Sequence, residues 1–144
     1  MRGLVWLAVC GAAAGCAIPA PGQLASYSVT GDAIVSPLTA EAGDPERGGK
    51  VFAGRDGNCF LCHTVPGGRF MGNLASPLAG VGARLNERQL RLIIVDPRRL
   101  NRDTIMPSYY RTDGLNQVAA AWRGKPVLTA QQVEDVVAYL LTLR

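Results

Sequence analysis

Two residues separate Cys59 from Cys62, and His63, the only histidine among 144 residues, follows at once. No other feature restricts the fold as much. Two thiols on one short turn can add across the two vinyl groups of a porphyrin while the next residue swings an imidazole onto the iron, the attachment signature of a c-type haem. Rival uses of the triplet lack partners. A structural zinc site takes four Cys or His ligands, and His63 with the two thiols makes three. A thioredoxin-like pair sits in a βαβ setting, whereas Gly54 to Asn58 before the motif and Pro66-Gly67-Gly68 after it are loop formers. A structural disulfide would leave His63 without a task.

An iron held by one imidazole is either open or closed by a second side chain, and the soft candidates are Met71 and Met106. The eight residues from His63 to Met71 reach at most ~28 Å when fully extended, nearly all of which a path round the ring would consume. Met106 lies 43 residues beyond His63 and precedes Pro107, which restricts it to extended conformations suited to presentation from a strap. Met106 is therefore the expected distal ligand and Met71 packing or surface; the alternative for Met106 is core filler, with the iron open or bound by a lysine.

Apolar residues make up 48% of the chain and charged residues 18%, which excludes a disordered tail or a charge-rich coiled coil. A formal charge of +4 suits an acidic protein partner better than nucleic acid, which is not expected as a ligand. Seventeen Gly and nine Pro imply much loop and a thin helical core, so a covalently tethered ring would supply contacts the loops cannot. The cofactor-free chain is expected to be largely unfolded.

Three helices are predicted. The first starts at Asp44 as N-cap with Pro45 at its first position. Its Gly48 and Gly49 each weaken it by roughly 1 kcal/mol, which close approach of another helix, with Tyr139 against them, would explain. The second starts at Asn86 with Gln89 as a capping box, carries Leu90, Ile93 and Ile94 on one side and ends before Pro97. The last starts at Thr129 with Gln132 and places Val133, Val136, Val137, Leu140 and Leu141 at helical spacing. A short fourth helix is expected near Gly114 to Ala121, and no sheet is required. Tyr109, Tyr110 and Trp122 read as core or haem-packing rings. Arg98-Arg99-Leu100-Asn101-Arg102 reads as a basic loop near a haem edge, with Asp96 and Asp103 positioned to pair locally.

Residues 1–17 follow the charged, apolar and small-residue order of a secretory signal, which predicts export. Two fates for Cys16 stay open: lipidation at Ala14-Gly15-Cys16, or ordinary cleavage near Ala17. The predicted organisation is a signal over 1–17, an extension over 18–43 and a domain over 44–144.

The order of these features resembles the class I cytochrome c fold, an all-α architecture of three to four short helices around one haem. The phrases Gly80-Val81-Gly82-Ala83-Arg84, Thr104-Ile105-Met106-Pro107-Ser108-Tyr109-Tyr110 and Lys125-Pro126-Val127-Leu128 are similar to the SoxX family, monohaem subunits of the bacterial sulfur-oxidation complex. The resemblance implies one covalent haem c, with Cys59 and Cys62 as thioether anchors and His63 and Met106 as iron ligands. It also implies a periplasmic location, lipid-anchored if Cys16 is acylated, and a heterodimer with a monohaem or dihaem SoxA. That complex would conjugate thiosulfate to a cysteine of the SoxY carrier as an L-cysteine S-thiosulfotransferase and pass electrons to a small soluble cytochrome c. The catalytic haem would belong to SoxA, leaving this chain a relay with no catalytic residue. A free-standing electron carrier unrelated to sulfur oxidation is the alternative.

Overall fold

The computed structural model describes residues 24–144; the predicted signal over 1–17, Cys16 included, lies outside the described residues. In chain order it contains β1 (Val29–Thr30), β2 (Ala33–Ile34), α1 (Pro45–Ala53), α2 (Val81–Arg84), α3 (Glu87–Val95) and α4 (Ala130–Thr142), with single 3-10 turns at Cys59–Leu61, Pro97–Arg99 and Ala120–Trp122. The three principal helices start where their caps lie. Asp44 accepts from the Arg47 amide, and Asn86 and Thr129 each close a reciprocal box with Gln89 and Gln132. Each such cap stabilises its helix by about 1 kcal/mol.

α1 crosses α4 closely. A Cβ on Gly48 would run into the Asp135 carbonyl of α4, and one on Gly49 would meet the Tyr139 ring at 3.4 Å. The glycines therefore admit α4, and at Gly48 its backbone, more than an aromatic ring, demands the absent side chain. Phe52 completes the crossing, its ring centroid 5.2 Å from that of Tyr139 and 5.1 Å from that of Phe60 in an edge-to-face pair, the arrangement aromatic quadrupoles favour.

The sequence requires no sheet and marks the stretch before Asp44 only as an extension or linker. From residue 24 the extension instead forms the antiparallel β1–β2 hairpin and docks, burying Ile34 and Leu38. Its anchors are charged. Arg91, with 0% exposure, donates to both carboxylate oxygens of Glu134 at 2.7 and 2.8 Å, to Glu87 and to the Ile34 carbonyl, and Glu134 also accepts the Leu38 amide. On the neighbouring residue, Asp135 accepts from the Asp44 amide and from Arg47. α3 is consequently buried on more than its expected stripe: Arg91, Leu92 and Val95 are covered along with Leu90 and Ile94.

The short helix expected over Gly114 to Ala121 is absent. Positive φ at Gly114 and Gln117 breaks helical continuation, and only the Ala120–Trp122 turn remains. Nor does Asp96 pair with the basic loop beside it. It is buried, accepts from Ser108 and lies 3.4 Å from Arg111 Nε.

Candidate functional site

α1 ends at Gly54, and Asn58 in a left-handed conformation (φ 44°) turns the chain into the 3-10 turn at Cys59. The amides of Cys62 and His63 both donate to the Cys59 carbonyl, at 3.2 and 2.9 Å. One turn therefore carries both thiols and the imidazole. The following loop folds back on it through Gly72 to Phe60, Ala75 to Cys62 and Leu78 to Thr64 backbone hydrogen bonds. This brings the Ser76 carbonyl 2.8 Å from His63 Nδ1. With a proton on Nδ1 donated to that carbonyl, Nε2 keeps its lone pair for a metal.

Opposite stands the strap. The Met106 amide donates to Thr104 Oγ1 at 3.2 Å, the Tyr109 amide reaches the Ile94 carbonyl of α3, and the Val127 and Leu128 amides both reach the Tyr109 carbonyl. Tyr109 Oη donates to the Gly57 carbonyl at 2.7 Å, tying the strap to the cysteine loop. Met71 is turned elsewhere: its sulfur accepts the Val65 amide at 3.1 Å.

Between loop and strap lie two cavities. The narrower, about 100 Å³, is lined by Cys59, His63 and Met106 with aliphatic side chains from α2, α3 and α4, among them Val81, Leu90, Ile94 and Leu140. The wider, about 350 Å³, is lined by Cys59, Cys62, His63, Ser76, Met106 and Tyr109. All four predicted site residues thus border one crevice with an apolar floor. Both cysteines are free thiols, and burial pushes that of Cys59 up to about 11, keeping it protonated and uncharged. Two thiols beside an imidazole with an available Nε2, an apolar wall and a thioether across the gap fit a c-type haem.

Sequence reasoning missed the Ser76 carbonyl, which carries no side-chain signal, and most of the aliphatic wall, which reads as ordinary core. Tyr109 lines the crevice and Tyr110 is buried, its hydroxyl accepting the Ala25 amide, as expected of packing rings. Trp122 is not one of them. It is half exposed, because the segment expected to be helical leaves it on an open turn.

Residues 45–144 match the family model for cytochrome c. The crystal structure of SoxXA from P. pantotrophus is similar to this chain over 81% of its length and 93% of the other, with 37% identity and a TM-score of 0.74. Among curated proteins none matches. The chain belongs to the cytochrome c family, whose members bind haem c covalently, and is a cytochrome of the SoxX type.

Proposed function

We propose that this chain is the monohaem electron-transfer subunit of a SoxAX complex that joins thiosulfate oxidatively to a cysteine of the SoxY carrier. One observation carries the proposal: both thiols, the lone imidazole and the Met106 thioether border a single crevice in a chain similar to a SoxXA structure. Cys59 and Cys62 would hold one haem c by thioethers, with His63 as proximal and Met106 as distal ligand. When bound, that haem supplies a one-electron couple whose His and Met ligation raises the potential. The residues of this chain do the positioning. The Ser76 carbonyl orients the His63 ring, Tyr109 ties the strap to the cysteine loop, and the aliphatic wall from α2, α3 and α4 excludes water.

By the resemblance to SoxX-type cytochromes, sulfur transfer is assigned to the partner, a monohaem or dihaem SoxA. Electrons would leave through a small soluble cytochrome c. The proposed location is the periplasm, and the mass of the mature protein distinguishes an acylated Cys16 from cleavage near Ala17.

The test is co-expression with the SoxA-like partner. The two chains should co-purify and reduce a soluble cytochrome when thiosulfate and SoxY are added. Met106→Gly should keep the haemochrome spectrum and lose the sulfur-to-iron charge-transfer band. Its thiosulfate-dependent transfer should fall about tenfold or more, the effect of about 59 mV on a one-electron equilibrium. A chain that stays monomeric beside its partner, in cells whose growth on thiosulfate is unchanged by its deletion, would refute the proposal in favour of a free-standing carrier.

A further inference from the structure

Three cavities meet at Met106: the two described above and a third of about 360 Å³, which Ile105 and Pro107 of the strap also line. The third differs in charge. Arg98, Arg111 and Lys125 all line it, with Ser108, Asn116 and Trp122, and no carboxylate does. Among the described residues Arg98 and Lys125 have no acidic partner within ion-pair distance. Arg111 leans on Asp96 at 3.4 Å, yet its buried Nε makes no hydrogen bond, and that Asp96 oxygen already accepts from Ser108.

Arg98 and Lys125 are exposed, as on a solvated basic surface, but Arg111 is four-fifths buried, its side chain 19% exposed, and all three cations border one concavity. Like charges gathered at a partly buried site repel one another unless an anion lies among them. The guanidinium groups also offer forked donors suited to planar oxyanions.

We infer that this cavity binds an oxyanion beside the Met106 thioether. Two sources share that chemistry: a propionate carboxylate of the haem, a source that rests on the reading above, and a small inorganic oxoanion from solution. The charged groups facing the anion would be Arg98 from the turn after α3, and Arg111 and Lys125 from the chain after the strap. Asp96 reaches it only through Arg111.

The experiment measures the midpoint potential of the haem-loaded protein from about pH 5 to pH 8, a range above the ordinary carboxylate pKa, with phosphate titrated in at constant ionic strength. Wild type is compared with an Arg111→Gln, Lys125→Gln double variant and with Arg98→Gln, whose residue is exposed and whose folding is not at risk. If a propionate occupies the cavity, neutralising the cations moves the carboxylate-linked step in the potential upward by about 1 to 3 pH units, and phosphate has no effect. If a free oxoanion occupies it, phosphate lowers the wild-type potential saturably and the variants do not respond. Either result supports the site. Identical pH profiles in all three proteins, with no response to phosphate, overturn it. The sulfur-to-iron band checks the Met106 ligand, and a haemochrome spectrum checks the ring separately. Were it missing, the haem reading would fail, and saturable phosphate binding by phosphorus NMR would then decide the anion site alone.

Discussion

The two sides of α3 are built on opposite principles. Toward the docked N-terminal segment, Arg91 and Glu134 satisfy each other and two backbone groups, and next to them Asp135 joins α4 to the start of α1. Toward the crevice, Leu90, Ile93 and Ile94 face cavity space across from His63 and Met106. The polar half is complete within the chain. The apolar half faces the position of the haem c that members of the family bind covalently, a guest whose ring would supply the dispersion contacts of a packed interior. Stability on one side is thus a matter of paired charge, and on the other is expected to rest on that guest.

The largest expected effect comes from removing the guest. Cys59→Ala, Cys62→Ala should abolish the cooperative thermal transition monitored by circular dichroism, leaving residual helix in α1 and α4. A variant that still melts in one sharp step would show that the polar half holds the fold alone and would break the contrast.

Next comes Arg91. Arg91→Ala strands the Glu134 carboxylate, 4% exposed, and breaking a buried pair in this way costs about 3 to 5 kcal/mol. Arg91→Met, Glu134→Leu removes both charges and should recover most of that loss in denaturant titrations. Equal destabilisation by the single and double variants would mean that the backbone bonds to Ile34 and Leu38, more than the charge pair, hold the segment down.

What the sequence discloses about these two halves differs for the same physical reason. The haem motif and the caps at Asp44, Asn86 and Thr129 are local, each a fixed spacing between a side chain and nearby backbone, and so they are readable without a fold. Met106 could be preferred over Met71 because chain reach is also a property of spacing. The Arg91–Glu134 pair spans 43 residues, and a charge on a helix ordinarily reads as a solvated face. One signal was present: Glu134 stands three residues before Val137 and seven before Leu141, on the apolar side of α4. The extension carried no comparable signal, since only its docking on Arg91 reveals that Ile34 and Leu38 are core.

The smallest effect is expected at Asp135, and it isolates charge from packing within the polar half. Burial alone would raise the pKa of this carboxyl. The hydrogen bonds from Arg47, the Asp44 amide and Gln131 outweigh burial and hold it below the usual carboxylate range. A group whose folded pKa is depressed contributes stability that is complete above its unfolded pKa, about 4, and that disappears as pH falls through the folded value. Asp135→Asn should therefore lie below wild type in denaturant midpoint at pH 7 and converge on it as the pH drops below about 4. The gap should be smaller than that for Arg91→Ala, because Arg47 is 46% exposed and water screens its charge. A gap of the same size at pH 3 and pH 7 would mean that the amide disturbs the α1–α4 packing, and would move Asp135 from the charged account of that half to the steric one already occupied by Gly48.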